Sequence, residues 1–183
     1  MTRPWLVVID PQRIFADPAS DWGSPMWPDA AAVIVDLLPR YAGRTVVTRW
    51  VPPRRRPGSW EAYMTAWPFA DRPPTDPAFA LVDALVGVDA VVVDAPTFGK
   101  WDALRPVVGE TPELVLTGVA TDCCVISTAL PAADAGATLT VLTDACAGST
   151  PENHAAALQV LGLYPPQITV CTSDELPPAV PPE

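Results

Sequence analysis

One segment of the sequence places two adjacent cysteines directly after an apolar run. Residues 118–125 read Gly-Val-Ala-Thr-Asp-Cys-Cys-Val and follow the apolar stretch Leu114–Thr117. The pattern predicts a strand, a tight turn and then a helix with the cysteines in its first turn. A helix N-terminus offers free N–H groups and the positive end of the helix dipole, which favour a thiolate and a nearby oxyanion. The segment therefore predicts a cysteine nucleophile.

Six short apolar segments along the chain alternate with stretches of helical spacing. Continuous runs of Val, Leu and Ile separated by helices indicate a parallel sheet that is covered on both faces. We therefore predict an α/β protein with a three-layer α/β/α Rossmann-like fold and a mostly parallel six-stranded sheet. The predicted strands are Trp5–Ile9, Thr45–Thr48, Ala90–Val93, Leu114–Thr117, Thr138–Thr143 and Ile168–Cys171.

The segments between these strands predict five helices and one long loop. Residues 51–77 are rich in proline, arginine and tryptophan without a clear period, which indicates a loop or lid. We predict a single domain over residues 1–176 and a proline-rich tail over residues 177–183. The predicted helices are Ala30–Tyr41, Ala78–Val86, Trp101–Val108, Thr121–Ala135 and Pro151–Leu161.

Polar residues follow several of the predicted strands. In a parallel α/β sheet, ligands bind beyond the carboxyl ends of the strands. Asp10, Asp94, Asp144 and the Arg49–Trp50 pair stand at such ends, as does the segment that carries the cysteines. We therefore expect the site to lie along this edge of the sheet.

Composition and charge narrow the classes of function. The chain has 183 residues and a net charge of −10, which disfavours binding to a nucleic-acid backbone. No apolar run is long enough to cross a bilayer, and the first residues lack the layout of a signal peptide, so we expect a cytoplasmic protein.

The single histidine, His154, is read as a surface or capping residue. Four cysteines without a Cys-x-x-Cys pair predict free thiols and no metal site.

Three motifs resemble those of the isochorismatase-like cysteine hydrolase superfamily. They are Asp10-Pro-Gln-Arg-Ile-Phe15, the Gly118–Val125 segment with the Ser127–Gly136 stretch after it, and Thr143-Asp-Ala-Cys146. The resemblance covers most of the chain. It implies a catalytic triad of Asp, Lys and Cys with Cys124 as the nucleophile and Asp10 as the base. It also implies an oxyanion hole formed by the N–H groups of Ala120 and Cys124, with a cis peptide bond between Val119 and Ala120.

The lysine of this triad is the least direct match. Lys100 is the only lysine in the chain, and it stands several residues later than the resemblance leads one to expect, which is near Asp94–Pro96. Two interpretations stay open. Either the loop folds back to deliver the Lys100 amine to the site, or this branch has changed the triad.

The resemblance also bears on substrate and metal. Phe15, Trp50 and Trp101 are predicted to bind substrate as aromatic side chains at the edge of the sheet, although each is equally compatible with packing. Nicotinamidases of the superfamily carry an Asp-x-His metal motif after the second strand, and Thr48–Pro53 contains neither residue type. Gln12 either contacts substrate or fixes its loop by hydrogen bonds.

The function predicted from these features is cleavage of a C–N bond. We expect a cysteine hydrolase, independent of metal and cofactor, that acts on a small amide, carbamoyl or ureido compound through a thioester. The alternatives are a vinyl-ether hydrolase of the isochorismatase type and a non-catalytic binding protein of the same fold. The expected partners are the small-molecule substrate and further copies of the chain in a homo-oligomer.

Overall fold

The computed structural model describes residues 3–178, and a six-stranded sheet forms its centre. The strands are β1 (Trp5–Ile9), β2 (Thr45–Trp50), β3 (Val91–Ala95), β4 (Glu113–Val119), β5 (Thr138–Ala147) and β6 (Ile168–Cys171). Their order across the sheet is β3-β2-β1-β4-β5-β6, and every neighbouring pair is parallel. All carboxyl ends therefore lie at one edge, as the sequence predicts.

Within residues 3–178, six α-helices connect or flank the strands. They are α1 (Arg13–Ala16), α2 (Trp27–Leu37), α3 (Trp60–Ala66), α4 (Trp101–Val108), α5 (Ile126–Asp134) and α6 (Pro151–Leu161). Among the described residues, no helix is long and apolar enough to cross a membrane. Residues 179–183 of the predicted proline-rich tail lie outside the described part of the chain.

Each face of the sheet buries its own apolar cluster. Leu6 and Val8 of β1 pack in the cluster that contains Ile34 of α2, whereas Val7 and Ile9 pack in the cluster with Leu104 of α4. Successive residues of a strand point to opposite faces, so one continuous apolar strand supplies both clusters. Burial of each large apolar side chain stabilises the folded protein by about 1.5–3 kcal/mol. The two clusters therefore hold in place the strands that position the site.

The prediction of a helix over Ala78–Val86 is wrong. The segment forms two short 3-10 turns, Pro77–Phe79 and Asp83–Leu85. Between them the chain runs alongside the loop after β1, where Ala80 accepts a hydrogen bond from the Arg13 N–H at 3.0 Å and the Val82 N–H donates to Pro11 at 2.9 Å. These contacts with a distant segment outweigh a weak local helix preference.

Three helical segments also differ from the prediction. The segment 51–77, predicted as a loop, contains α3. The helix predicted over Ala30–Tyr41 begins earlier, at Trp27, and its end tightens into a 3-10 turn at Leu38–Tyr41, where Pro39 cannot donate a hydrogen bond. The helix predicted from Thr121 begins as a π-helical turn over Thr121–Val125 and becomes α-helical only at Ile126.

Candidate active site

Asp10 stands directly after β1 with its side chain completely buried. The Thr48 hydroxyl donates a hydrogen bond to Asp10 Oδ1 at 2.7 Å and accepts one from the Asp10 N–H at 3.0 Å. The backbone of Asp10 has φ of 46°, in the left-handed region that aspartate tolerates better than most residues. The end of β2 thus holds both the backbone and the carboxylate of Asp10.

Lys100 reaches the same buried point from a different part of the chain. Its Nζ lies 2.9 Å from Asp10 Oδ2, and both side chains have no exposed surface. The same ammonium donates to the carbonyl oxygens of Thr97 and Phe98 at 2.5 and 2.9 Å. Buried charges need this combination of a counter-ion and hydrogen bonds. Of the two interpretations of Lys100, the fold-back of its loop agrees with this placement.

The loop that carries Lys100 is fastened to the segment that carries Cys124. The Lys100 N–H donates to Thr128 Oγ1 at 3.0 Å, and this hydroxyl donates to the Cys124 carbonyl at 2.7 Å. A Cβ added to Gly99 would lie 2.5 Å from the Ser127 carbonyl oxygen, so only glycine allows the two backbones to approach this closely. Pro131 lacks the N–H that would otherwise bond to Ser127, one turn earlier in α5.

The turn between β4 and the cysteines has an irregular backbone. Gly118 has φ of 111°, and a Cβ added there would lie 2.2 Å from the Ile9 carbonyl oxygen. The peptide bond between Val119 and Ala120 is cis. The Ala120 carbonyl then accepts hydrogen bonds from the N–H groups of Cys123 and Val125, both at 3.0 Å. These bonds turn the chain back so that the cysteines face the carboxyl edge of the sheet.

The two adjacent thiols differ in burial and in acidity. A hydrogen bond with Cys123 raises the pKa of Cys124 well above the usual range of a thiol, and burial and the Asp10 carboxylate act in the same direction, while Lys100 opposes them. The same hydrogen bond lowers the pKa of the half-buried Cys123. The Cys124 thiol therefore holds its proton more tightly than the Cys123 thiol does.

A cavity of about 300 Å³ opens onto these thiols. Phe15 from α1 and Tyr63 from α3 lie in its wall, and burial raises the pKa of Tyr63 to about 12, so its phenol stays neutral. Asp122 also lines the cavity and accepts hydrogen bonds from the Ser149 N–H and hydroxyl, both at 2.7 Å. The remaining lining residues are Asp21, Trp22, Gly23, Trp67, Phe98, Ala120, Cys123, Cys124 and Ser149.

Two of the three aromatic residues predicted to bind substrate do not line this cavity. Trp50 is completely buried and packs edge-on against Phe15 and Phe79. Trp101 is 6% exposed and packs in the cluster with Leu104 on the opposite face of the sheet. A position at the end of a strand or the start of a helix does not fix which way a side chain points, and these two point into the core.

The structure also gives the surroundings of Gln12 and His154. Gln12 fixes its loop, because its amide donates to the carbonyls of Trp50 and Phe79 at 2.9 Å and its oxygen accepts from the Trp50 N–H at 2.7 Å. His154 is not a surface residue: it is 9% exposed, and its Nδ1 lies 2.8 Å from Thr121 Oγ1. Within residues 3–178, no group of three or more His, Cys, Asp or Glu side chains could hold a metal ion.

Three residues of the site, Thr48, Gly99 and Thr128, carry little signal in the sequence. Thr48 and Thr128 are buried threonines within regular elements, and threonine is common in both strands and helices. Gly99 lies one residue before Lys100, but its approach to Ser127 depends on how two distant segments pack. For Thr48 alone, a position near the carboxyl end of β2 indicates that the residue lies near the site.

Fold and site together define a three-layer α/β/α protein with a buried Asp–Lys pair and a cavity that is lined in part by aromatic side chains. The sequence profile described as Isochorismatase domain matches residues 4–175, so the chain belongs to the isochorismatase family. Among curated proteins, none matches the sequence of this chain.

Several solved structures share this fold at low sequence identity. An isochorismatase-like hydrolase from Alkaliphilus metalliredigens is 20% identical with a TM-score of 0.75, over 95% of this chain and 96% of that one. N-carbamoylsarcosine amidase from Thermoplasma acidophilum is 20% identical with a TM-score of 0.71, over 97% and 100%. Nicotinamidase from Bacillus subtilis is 21% identical with a TM-score of 0.69, over 93% and 99%.

Proposed function

We propose that this hydrolase cleaves the C–N bond of a small amide, carbamoyl or ureido compound, with Cys124 as the nucleophile. The observation that carries the proposal is the buried contact of 2.9 Å between Lys100 Nζ and Asp10 Oδ2 beside a cavity that Cys124 lines. The charges of Asp10 and Lys100 both act on the pKa of the Cys124 thiol, so the three groups can serve as base, cation and nucleophile. Support also comes from the similarity in fold to N-carbamoylsarcosine amidase and nicotinamidase.

In the proposed mechanism, Asp10 first removes the proton from the Cys124 thiol. The raised pKa of Cys124 makes this step necessary near neutral pH. The thiolate attacks the carbonyl carbon of the substrate, and the N–H groups of Ala120 and Cys124 receive the developing oxyanion. Donors aimed in this way stabilise a transition state by roughly 3–4 kcal/mol each. Asp10 then passes its proton to the leaving nitrogen, which departs as ammonia or an amine.

The second half of the reaction regenerates the thiol. A water molecule enters as the nitrogen leaves, gives a proton to Asp10 and attacks the thioester carbon. The carbon–sulfur bond breaks, the thiolate takes the proton back through Asp10, and the acid product leaves. Lys100 keeps Asp10 oriented throughout and balances its charge. The steps assigned to these residues need no metal and no organic cofactor.

The test is the release of ammonia from a panel of small amides and ureides. We expect Cys124→Ala to abolish turnover with the fold intact by circular dichroism, whereas Cys171→Ala, a matched change in β6, retains it. Full activity in Cys124→Ala would overturn the proposal. Turnover of isochorismate by that variant would instead favour vinyl-ether hydrolysis, and no turnover by the unaltered protein would favour a binding role.

The wider setting of the enzyme is also proposed. We infer a single domain over residues 1–176, a cytoplasmic location, and a homo-oligomer. The number of subunits is open to sedimentation analysis at several protein concentrations. A constant monomer mass across that range would contradict the oligomer.

A further inference from the structure

We propose that the cavity selects substrates whose non-reacting part carries a positive charge, such as an amide with a quaternary ammonium group. This inference rests on the proposed function and concerns the same site. It comes from the side chains of the cavity wall, which combine aromatic faces with carboxylates.

Five of the twelve residues that line the cavity are aromatic. Three of its rings stand close together: the Trp22 centroid lies 6.1 Å from that of Tyr63 and 5.7 Å from that of Trp67, and Tyr63 and Trp67 are 6.4 Å apart. Phe15 stacks on Trp22 at 5.9 Å, and Phe98 meets Tyr63 at 5.3 Å. The face of each ring carries negative electrostatic potential, which attracts a cation and repels an anion.

The charged groups of the wall have the same sign. Within residues 3–178, Asp21 and Asp122 line the cavity, and no arginine, histidine or lysine does so. The Ser149 hydrogen bonds hold the Asp122 carboxylate in place. Lys100 is completely buried and paired with Asp10, so its charge is not available to the non-reacting part of a substrate.

The arginines near Asp21 do not reverse this balance. Arg13 and Arg72 line a neighbouring groove that shares Asp21 with the cavity. Each already has another partner, because Arg13 lies 2.8 Å from Asp83 and Arg72 lies 3.5 Å from Asp76. A carboxylate on a substrate would therefore meet two carboxylates and five aromatic side chains, a lining that favours a quaternary ammonium instead.

Three primary amides of similar size separate the alternatives. They are trimethylammonioacetamide, which is cationic, its uncharged isostere 3,3-dimethylbutanamide, and the anionic succinamate. We expect kcat/KM for the cation to exceed that of the isostere at least tenfold, and succinamate to be the poorest substrate. Equal values for the cation and its isostere, or a preference for succinamate, would overturn the inference while leaving the proposed function in place.

Variants of the cavity wall test whether its rings and carboxylates cause this preference. The measured quantity is the ratio of kcat/KM for the cation to kcat/KM for its uncharged isostere, determined for each protein. We expect Trp67→Leu, which keeps an apolar wall without the π face, to lower the ratio of cation to isostere by about threefold. Asp21→Asn should lower it as well. Asp36→Asn, an equal change of charge on the exposed side of α2, should leave the ratio unchanged. An unaltered ratio in both wall variants contradicts the assignment.

A binding measurement keeps the inference separate from catalysis. Alkylation of the two cavity thiols, Cys123 and Cys124, by iodoacetamide, followed by peptide mass spectrometry, reports occupancy of the cavity without turnover. Protection at lower concentrations of the cation than of the isostere supports the inference even if none of the three amides is hydrolysed, a result that would count against the proposed function alone. Equal protection by both compounds would overturn the inference.

Discussion

Lys100 Nζ lies 2.9 Å from Asp10 Oδ2, and neither side chain has exposed surface. The two residues are far apart in the chain, one after β1 and one before α4. Two hydroxyl groups extend the arrangement, because Thr48 binds the Asp10 carboxylate and Thr128 joins the Lys100 N–H to the Cys124 carbonyl.

Removing the cation should cost both stability and activity. We expect Lys100→Met to lower the free energy of unfolding by about 3–5 kcal/mol, because the Asp10 carboxylate would remain buried without its counter-ion. Urea denaturation measures this loss. The double variant Asp10→Asn/Lys100→Met should regain most of the stability but no activity. If Lys100→Met were as stable as the unaltered protein, the buried pair would not be ionic.

Thr48 should act as a positioning residue for Asp10. We expect Thr48→Val to lower kcat at least tenfold and to cost about 1.5–3 kcal/mol of stability, since it removes a hydrogen bond to a buried charged group. Thr45→Val on the same strand is the matched control, because the Thr45 hydroxyl donates only to the Tyr41 carbonyl, at 3.1 Å. An unchanged kcat in Thr48→Val would refute this role.

Gly99 should control the position of Lys100. A Cβ at this residue would meet the Ser127 carbonyl oxygen at 2.5 Å, so Gly99→Ala should push the loop away from α5 and separate Lys100 from Asp10. We expect a large fall in kcat. Gly162→Ala, at the end of α6, places its Cβ 3.3 Å from the Leu158 carbonyl oxygen and should keep kcat unchanged. Similar kcat values in both variants would contradict this prediction.

The free energy of unfolding should fall at alkaline pH, and ionisation of Cys146 in the unfolded chain should account for part of the fall. Burial, the main cause, and the nearby Asp144 raise the pKa of this thiol, so the folded protein keeps a proton that the unfolded chain loses above about pH 8.5. A thiol whose pKa is raised by folding stabilises the folded protein fully below the pKa that the thiol has in the unfolded chain. This stabilisation is lost as the pH rises above that value. Each such group lowers the free energy of unfolding by about 1.4 kcal/mol per pH unit.

The contribution of Cys146 can be isolated by substitution. Between pH 9 and 10, Cys146→Ala should show a decline shallower by about 1.4 kcal/mol per pH unit than the unaltered protein, in urea titrations at each pH. Cys171 is half-buried in an edge strand, and its pKa is also raised. Cys171→Ala should therefore produce a smaller change in slope. Identical slopes for Cys146→Ala and the unaltered protein would show that the thiol ionises in the folded state.

The strands and the cysteine turn were predictable because their signals are local. Continuous apolar runs such as Trp5–Ile9 can bury both faces only inside a covered parallel sheet, and that requirement sets the fold class. Asp10 and Cys124 follow such runs, so the placement of both at the carboxyl edge depends on little beyond the strands themselves. The motif around Gly118–Val125 also identified the family that the profile match establishes.

The position of Lys100, the proposed partner of Asp10 and Cys124, could not be predicted from the sequence in the same way. Lys100 follows β3 by several residues of loop, and a flexible loop can deliver its side chain in many directions. Its position depends on Gly99 against Ser127 and on Thr128, which are contacts between segments about 28 residues apart. The directions of Trp50 and Trp101 were undetermined for a similar reason, since packing alone turned them into the core.

The sequence by itself therefore determined the sheet, its functional edge, and the positions of the candidate base and nucleophile along that edge. Only the tertiary structure decided that Lys100 joins Asp10 and that α3 supplies an aromatic wall to the cavity. The physical reason is the range of the interactions: the periodicity of apolar residues is written in neighbouring positions, whereas a buried ion pair and a cavity arise from segments that meet only when the chain has folded.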